Sequence, residues 1–357
     1  MSKETKYGII SDLQEDPRKI DPALALLKAE GIDRLIVNGD ISKQHKDLED
    51  NHAYLMRIIE PIAESGLVAF IQPGSHENFI SYQPVINHFS QNFDNIIDTT
   101  ENQKIEQVDH HLVFLPGSDY GPAYGEYKIT SKVPTGRYSD LKDGLAKFDT
   151  IEEYTELVKE HETIIPVKYY FNMNDLTKLV TDPNKTILVC HIPRKFNNLE
   201  TCVDMAHFVE IREYKIEDIE KYETMAVMPY ESFDRNFVKK EKTIYFSAEE
   251  FKQIDNDELK DYMTGMRLKT LKLAIERKEN RGNEDLKALY QQLQIKKAVS
   301  GHFHESGHRA NDEQGNHVQE NQYTNELFWN SGNLDKGELG ILTVKGDLVK
   351  YRNLRID

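Results

Sequence analysis

Aspartate and histidine residues follow short apolar segments at five places along the 357-residue chain. Carboxylate and imidazole groups suit manganese, iron or zinc, whereas calcium and magnesium prefer all-oxygen sites. A single Gly-Asp after a strand is usually a turn, and a single histidine there is usually structural. The prediction of a functional site therefore depends on the occurrence of five such sets in one chain. The five sets are Ser11-Asp12-Leu13-Gln14, Asn38-Gly39-Asp40, Pro73-Gly74-Ser75-His76-Glu77, Cys190-His191-Ile192-Pro193 and Gly301-His302-Phe303-His304.

The last set predicts a site for two metal ions. Alternate residues of a strand share a face, so His302 and His304 are expected on one side of the pleat, where they can reach neighbouring ions. Asp40, at the end of a central strand, is well placed to bridge them. Two ions about 3.5–4 Å apart can activate a bridging hydroxide and stabilise an in-line phosphoryl displacement. The residue types therefore favour metal-dependent hydrolysis of a phosphate ester.

The segments before these residues predict the elements that position them. Lys6–Ile10, Arg34–Val37 and Leu67–Ile71 are apolar runs of strand length, separated by helical patterns at Pro22–Glu30 and His52–Glu64. This alternation predicts βαβ units and a parallel or mixed sheet. Ligands bind beyond the carboxyl ends of strands in such sheets, so the five sets are expected to meet. Further strands are predicted at Thr186–Cys190 and Ala298–Ser300, with hairpins over 104–115 and 340–351.

Two regions do not follow this alternation. Residues 118–150 are rich in Gly, Tyr, Pro and Ser, which predicts an irregular surface excursion. Residues 200–295 are dense in charge and predict an inserted cap or subdomain. The alternative is that this stretch only packs on the outer surface of the core. Two amphipathic helical patterns close this stretch, one formed by Leu268, Leu271 and Ile275 and the other by Leu286, Leu289 and Leu293.

Composition narrows the class of protein. The balance of 45 Lys+Arg against 61 Asp+Glu gives a net charge of −16, which argues against gripping duplex DNA along its phosphates. No apolar run has the roughly 20 residues that span a bilayer, and the N-terminus has no signal-peptide core, so a cytoplasmic protein is expected. Cys190 and Cys202 form neither a disulfide framework nor a structural zinc pattern, and Cys190 is interpreted as a small buried residue.

The order of the five sets resembles that of the calcineurin-like metallophosphoesterase superfamily, whose motifs run D-x-H, G-D-x-x-D, G-N-H-[DE], H and G-H-x-H. The resemblance covers roughly residues 1–195 and 296–357. It implies an α/β fold, a metallophosphoesterase-type β-sandwich of mixed sheets flanked by helices, with 1–199 and 296–357 as the core and 200–295 as a helical, charged insertion. It also implies His76 as the general acid, oriented by Glu77. It implies one metal ion held by Asp12, Gln14, Asp40 and His304, and a second held by Asp40, Ser75, His191 and His302.

Two of the implied metal ligands depart from the superfamily's pattern, and Lys43 also stands in place of the second acidic residue of G-D-x-x-D. Gln14 stands where His is usual, and the resulting D-x-Q form is similar to that of the manganese-dependent ADP-ribose/CDP-alcohol diphosphatases. Its neutral carbonyl is a weaker ligand than imidazole. Ser75 stands where Asn is usual, and its shorter hydroxyl predicts a weaker second metal site. Manganese is the expected metal, with iron, zinc and nickel as alternatives.

The leading hypothesis is an enzyme acting on a phosphodiester, nucleotide or diphosphate, with a diester favoured over a monoester. The alternatives are a scaffold that kept the fold without the chemistry, which Gln14 and Ser75 favour, and a nuclease, which the acidity disfavours. The expected partner is a small phosphorylated substrate, not nucleic acid or a membrane. Arg194 is a candidate for binding a substrate phosphate, with an ordinary solvated surface position as the alternative. The chain lacks a Ser-His-Asp context and the glycine-rich loops of ATPases and dinucleotide enzymes.

Overall fold

The structure is a computed structural model that describes residues 4–42, 48–77, 79–118, 126–130, 132–142, 144–161, 167–215, 224–229, 243–253, 261, 263–266 and 270–357. The chain divides into two compact units. One is formed by Met1–Asp204 together with Gly282–Asp357, and the other by Met205–Arg281.

The first unit contains most of the described strands and helices. None of the helices in the described residues is long and apolar enough to cross a membrane. The strands of this unit are β1 (Thr5–Ile10), β2 (Arg34–Asn38), β3 (Val68–Gln72), β4 (Ile96–Asp98), β5 (Lys104–Glu106), β6 (His111–Leu115), β7 (Glu126–Thr130), β8 (Gly136–Leu141), β9 (Gly144–Phe148), β10 (Lys168–Asn172), β11 (Thr186–Cys190), β16 (Lys297–Ser300), β17 (Ala310–Asn311), β18 (Leu327–Asn330), β19 (Glu338–Lys345) and β20 (Leu348–Arg355). Its helices are Ile20–Ala29, Leu48–Glu64, Phe79–Asn92, Ile151–His161, Met173–Leu179 and Glu284–Leu293, with short 3-10 turns at Pro17–Lys19, His304–Ser306 and Leu334–Lys336.

Two mixed sheets, each of six described strands, form the centre of the first unit. The first has the order β20-β19-β1-β2-β3-β4, and its strands β1 to β4 are parallel. The second has the order β17-β18-β16-β11-β6-β5, with β6, β11, β16 and β18 parallel. The predicted strands and both predicted hairpins are confirmed. Parallel strands joined by helices place their carboxyl ends at a common edge, which is where the five residue sets begin.

The two sheets pack face to face through an apolar layer. Tyr7 and Phe70 of the first sheet and Phe114 and Trp329 of the second are fully buried in it, and the rings of Phe70 and Phe114 lie 5.9 Å apart. Each such side chain contributes about 1.5–3 kcal/mol through burial. The helices pack on the other faces of the sheets in a second apolar cluster, which includes the buried side chain of Cys190. The predicted α/β sandwich of mixed sheets flanked by helices is confirmed.

A small sheet replaces the irregular excursion expected over 118–150. Strands β7, β10, β8 and β9 form it in that order, so the expectation is wrong for the described part of this region. The glycines that suggested a loop begin strands β8 and β9, at Gly136 and Gly144. Buried aromatic residues of β10 hold the sheet against the helical layer, among them Tyr169 and Phe171.

Arg137 of β8 ties this small sheet to the first six-stranded sheet and its helices. The guanidinium is 6% exposed and lies over the rings of Phe79 and Tyr169. Its Nη2 atom donates hydrogen bonds to Gln83 Oε1 (3.2 Å), Thr100 Oγ1 (2.9 Å) and Glu101 Oε1 (2.8 Å). Buried polar groups of different elements therefore depend on this one side chain.

The second unit is built on a sheet, not on the helices that the sequence suggested. Its described strands are β12 (Met205–Lys215), β13 (Thr224–Pro229), β14 (Thr243–Ser247) and β15 (Thr270–Asn280), in the order β13-β12-β15-β14. Leu271 and Ile275 lie on β15, so the helix predicted through them is wrong, and the insertion is not helical there. Leu271, Leu273 and Ile275 are all buried, and this period-2 pattern was already present beside the helical spacing. Leu268 lies outside the described residues.

The helix predicted through Leu286, Leu289 and Leu293 does form, as Glu284–Leu293, and these residues are buried in the core of the first unit. The Asn283 side chain caps its N-terminus by accepting from Leu286 N at 2.7 Å. This helix leads directly into the second six-stranded sheet and belongs to the first unit.

Candidate metal centre

The loops after β1, β2 and β16 have a sterically unfavourable backbone at the predicted ligands. Asp12, Asp40 and His302 have φ values of 57°, 52° and 69°. This left-handed conformation costs a non-glycine residue roughly 1–2 kcal/mol, and such residues concentrate at functional sites. Hydrogen bonds compensate for it, because Asp12 N donates to the Gly39 carbonyl (3.2 Å) and Leu13 N to the Asp40 carbonyl (2.8 Å). The first two ligand loops are thus joined to each other.

Glycines at two positions allow the loops to approach the carboxylates. A Cβ atom on Gly74 would overlap Asp40 Oδ1, and one on Gly301 would overlap Asp12 Oδ2 and the Ser11 hydroxyl. Any side chain there would push a carboxylate out of place. The glycines of the third and fifth residue sets therefore have a packing role at the centre itself.

The Asp40 carboxylate is fixed from one side by the loop after β3. His76 N donates to its Oδ1 atom at 2.9 Å, Ser75 N also donates to Oδ1, and the Ser75 hydroxyl donates to Oδ2 at 2.8 Å. The carboxylate is 2% exposed. A buried carboxylate held in this way is preorganised for a cation on its remaining side.

His191 presents an unpaired lone pair to this carboxylate. Its Nδ1 atom lies 2.8 Å from the Asn38 carbonyl, which can only accept, so Nδ1 carries the proton and the lone pair of neutral imidazole is on Nε2. His191 Nε2 is 3.0 Å from Asp40 Oδ2 and 3.9 Å from Asp12 Oδ1, yet it is fully buried and has no aligned hydrogen bond. A lone pair opposed to a carboxylate oxygen at this distance requires a positive charge between or upon them.

The pKa values of these groups reflect the same requirement for a positive charge. Burial opposes protonation of His191, but the neighbouring Asp40 carboxylate outweighs it and raises the pKa of His191 to about 9. Burial also acts to raise the pKa of Asp40, but the charges of His191 and His76 hold that pKa well below its usual value. The pKa of Asp12 is lowered too, because the hydrogen bond to His304 and the charge of His191 outweigh burial. In the absence of a cation, a proton on His191 supplies the positive charge.

His302 and His304 approach different carboxylates. The ligand atoms of Asp40, His191 and His302 all lie within 4.8 Å of one another, and burial followed by the charge of His191 lowers the pKa of His302 to about 3. A neutral His302 keeps a lone pair available for a metal. His304 Nε2 instead lies 3.1 Å from Asp12 Oδ1.

The separation of these two histidines does not come from the pleat of a strand. Strand β16 ends at Ser300 and a 3-10 turn begins at His304, so the expectation that the pair shares one face of a strand is wrong. The left-handed backbone at His302 directs the two rings instead. The result is one cluster around Asp40 and a second pair at Asp12.

Gln14 and Ser75, the two implied ligands that depart from the pattern of the superfamily, both contact Asp40. Gln14 Nε2 donates to Asp40 Oδ2 at 3.1 Å, which places its amide beside the predicted bridging carboxylate. The hydroxyl of Ser75 is buried against the same group. Both side chains are therefore at the centre. All seven predicted metal ligands lie at this edge of the sandwich, and together they fit divalent cations with mixed nitrogen and oxygen ligands.

His76 and Glu77 are adjacent in sequence but have separate environments. His76 is partly exposed, and its Nε2 atom lies 4.0 Å from Asp40 Oδ2. Glu77 is fully buried and does not hydrogen-bond His76, so the predicted orienting contact is wrong. It accepts from the backbone N–H groups of Ile41 (2.6 Å), Asp40 (3.1 Å) and Gly74. Glu77 therefore positions the loops around Asp40.

Arg194 does not extend into solvent. Its guanidinium is 3% exposed and lies between the rings of Phe196 (4.4 Å) and Phe328 (4.5 Å), with Nη2 donating to the Glu313 carbonyl at 2.9 Å. This burial contradicts the alternative of a solvated surface position, whereas contact with a substrate phosphate stays a prediction. The two rings hold the guanidinium in place, while its Nε and Nη1 atoms have no hydrogen-bond partner among the described residues.

No family model matches the chain. No curated protein matches it either. Solved structures that are similar include TT1561 of Thermus thermophilus, at 9% identity and a TM-score of 0.47 over 99% of this chain and 100% of that chain. They also include a dimetal phosphatase from Danio rerio, at 10% identity and a TM-score of 0.44 over 99% of both chains. At such low identity, the chemistry must be inferred from the residues of the chain itself.

Proposed function

We propose that the chain is a metal-dependent phosphoesterase whose centre lies between Asp12, Asp40 and His191. The observation that carries the proposal is the buried, unpaired Nε2 lone pair of His191, 3.0 Å from a carboxylate oxygen of Asp40. A proton or a cation there would satisfy it, and the approach of Asp12 and His302 to the same place favours a divalent cation. The cluster of Asp40, His191 and His302 beside the Asp12–His304 pair supports two ions at this place.

The ligands divide into two sets that share Asp40. One ion would be held by Asp12, Gln14, Asp40 and His304, and the other by Asp40, Ser75, His191 and His302. When bound, such ions activate water as a nucleophile and neutralise negative charge on phosphoryl oxygens. The mixed ligands, with the neutral oxygens of Gln14 and Ser75, favour manganese, with iron, zinc and nickel as alternatives.

His76 would supply a proton to the leaving oxygen. Its Nε2 atom lies 4.0 Å from Asp40 Oδ2, and 33% of its side chain is accessible. A proton donor must reach both solvent and substrate, and this position at the rim meets that requirement. Glu77 supports it indirectly by fixing the Asp40 and Gly74 loops.

The proposed substrate is a small phosphodiester, a nucleotide or a diphosphate, with a diester preferred over a monoester. The D-x-Q form of the first set supports a diphosphate or nucleotide, because it resembles that of the ADP-ribose/CDP-alcohol diphosphatases. The net charge of −16 disfavours long nucleic acid. Action in the cytoplasm and a capping role for the second unit are parts of the same proposal.

Two rival functions make different predictions. A scaffold without catalysis is favoured by Gln14 and Ser75, which weaken the ligand sets, but it does not explain a histidine placed at the rim beside Asp40. A nuclease would need a basic surface for the strand, and its binding would weaken steeply with rising salt.

The decisive experiment is turnover by metal-stripped protein after Mn²⁺, Zn²⁺, Ni²⁺ or Mg²⁺ is returned. Bis-p-nitrophenyl phosphate and p-nitrophenyl phosphate report the diester and monoester reactions. We expect metal-dependent turnover, faster with the diester, that Asp40→Ala abolishes and the exposed control Asp21→Ala leaves intact. If neither these esters nor a panel of nucleotides and diphosphates is hydrolysed with any metal while the protein still binds metal, the scaffold is the correct interpretation.

A further inference from the structure

The loop that carries Asp12 and Gln14 is held by a distant turn of the chain. The 3-10 turn Leu334–Lys336 lies between β18 and β19. Its backbone donates to the loop, since Leu334 N bonds the Ser11 carbonyl (3.0 Å) and Asp335 N bonds the Asp12 carbonyl (3.2 Å). Two successive residues of the turn therefore bond two successive residues of the loop, the second of which, Asp12, is the first predicted ligand.

The carboxylate of Asp335 completes this contact in the opposite direction. It accepts from three successive backbone N–H groups, those of Gln14 (2.8 Å), Glu15 (3.1 Å) and Asp16 (3.2 Å). Three donors that converge on one carboxylate fix the path of the backbone, because each bond restricts a different peptide plane. Gln14 is thereby held where its side chain reaches Asp40 at 3.1 Å.

We propose that Asp335 is a positioning residue for the first metal ion, acting through the backbone of Asp12 and Gln14. The inference rests on the proposed function, since it assigns a role at the same centre. Asp335 itself would contact neither metal nor substrate. Gln14 is the ligand that most needs such support, because a neutral amide binds a cation weakly and cannot compensate for poor placement.

The chain provides a matched control for this contact. Asp312 also accepts from successive parts of its own loop, with Gln314 N at 2.9 Å and Asn316 N at 2.8 Å from Oδ1. That loop carries none of the proposed ligands. Asp312→Asn therefore removes a loop-stabilising carboxylate of the same kind without touching the centre.

The test is titration of metal-free protein with Mn²⁺, followed by calorimetry and by electron paramagnetic resonance of the bound ion. For the unaltered chain we expect two equivalents. In Asp335→Asn we expect one equivalent to bind about 10–100-fold more weakly, as for other residues that orient ligands, and the other to bind as before. Asp312→Asn should match the unaltered chain, and Asp335→Glu, which keeps the charge but displaces it, should fall between.

The thermal midpoint of each metal-free variant separates positioning from general destabilisation. Selective loss of one equivalent without a fall in midpoint larger than that of Asp312→Asn supports the proposal. Equal weakening of both equivalents together with a lower midpoint would overturn it, because Asp335 would then act on the fold alone. Two unchanged affinities would overturn the positioning role and leave the phosphoesterase proposal standing. Absence of Mn²⁺ binding by the unaltered chain would overturn both.

Discussion

His191 and Asp40 face each other with a lone pair against a carboxylate, their Nε2 and Oδ2 atoms 3.0 Å apart. The Asn38 carbonyl fixes the ring by accepting from Nδ1 at 2.8 Å, so the ring cannot turn away. Both side chains are buried. The pair is thus a buried site of fixed geometry that is suited to bind a positive charge.

Replacement of His76 should affect substrates according to their leaving group. With an alkoxide leaving group, as in a nucleotide diester, loss of the proton donor in His76→Ala should slow kcat about 10²–10⁴-fold. With p-nitrophenolate, which departs without a proton, the loss should be much smaller. Steady-state kinetics on both substrate types, with the exposed His317→Ala as control, measure this difference. Equal losses on both substrates would remove His76 from the role of general acid.

Ser75→Asn should strengthen the second metal ion. The Ser75 hydroxyl is committed to Asp40 at 2.8 Å, and an asparagine carbonyl extends further from the backbone. We expect Mn²⁺ to bind this site about tenfold more tightly, a gain typical of improved ligand placement. Calorimetric titration beside Ser75→Ala, which has no side-chain oxygen, provides the comparison. If the two variants bind Mn²⁺ equally, residue 75 is not a ligand position.

Lys297 should make stability depend on pH in the alkaline range. It is buried and donates to the carbonyls of Asp347 (2.8 Å) and Asn184, and burial lowers its pKa to about 8. Below that pH the folded state contains a buried charge. Between about pH 8 and 10.5 the unfolded chain binds more protons than the folded one, so stability rises with pH.

Urea unfolding of the unaltered chain and of Lys297→Met across this window isolates the effect. The difference in unfolding free energy between them should change by about 2 kcal/mol in favour of the unaltered chain as pH rises from 8 to 10.5. A constant difference would mean that Lys297 titrates normally. The comparison cancels the contributions of other groups, which both proteins share.

Arg137→Met should destabilise the first unit by about 2–4 kcal/mol, because buried acceptors lose their donor. The acceptors are Gln83 and Thr100, which belong to elements outside the small sheet. The matched control is Arg18→Met, since Arg18 has an 88% exposed side chain and should change stability by at most about 0.5 kcal/mol. The urea midpoints of the two variants are compared. Similar midpoints would show that Arg137 contributes no more to stability than an exposed arginine does.

The residues that meet at the proposed centre could be singled out from the sequence because their signals are local. Asp12, Asp40 and His191 each lie within two residues of the end of an apolar strand, and residue type together with position was enough to select them. Asp335 has no such signal, because its contact is with backbone N–H groups 321 positions away at Gln14. Any acceptor side chain in any turn could have served, and only the folded chain shows which one does.

The errors have equally specific causes. The spacing of Leu271 and Ile275 fits both a helix and a strand. Their segment forms a strand because β15 pairs with β12 along eleven residues. Arg194 looked solvated beside Lys195, but the rings that cover it come from Phe196 and from Phe328, which is remote in sequence. Tertiary partners of this kind override local patterns.

The chain leaves and re-enters the first unit at neighbouring points. Met205 and Asn280 are directly paired in the antiparallel β12–β15 ladder, so the two ends of the second unit are about 5 Å apart. Within the first unit, Asp204 links the two segments that flank the second unit by accepting from Phe196 N (2.8 Å) and Gly282 N (3.2 Å). A module with adjacent ends can be gained, exchanged or lost in evolution as a single cassette. Its evolutionary history can therefore differ from that of the first unit.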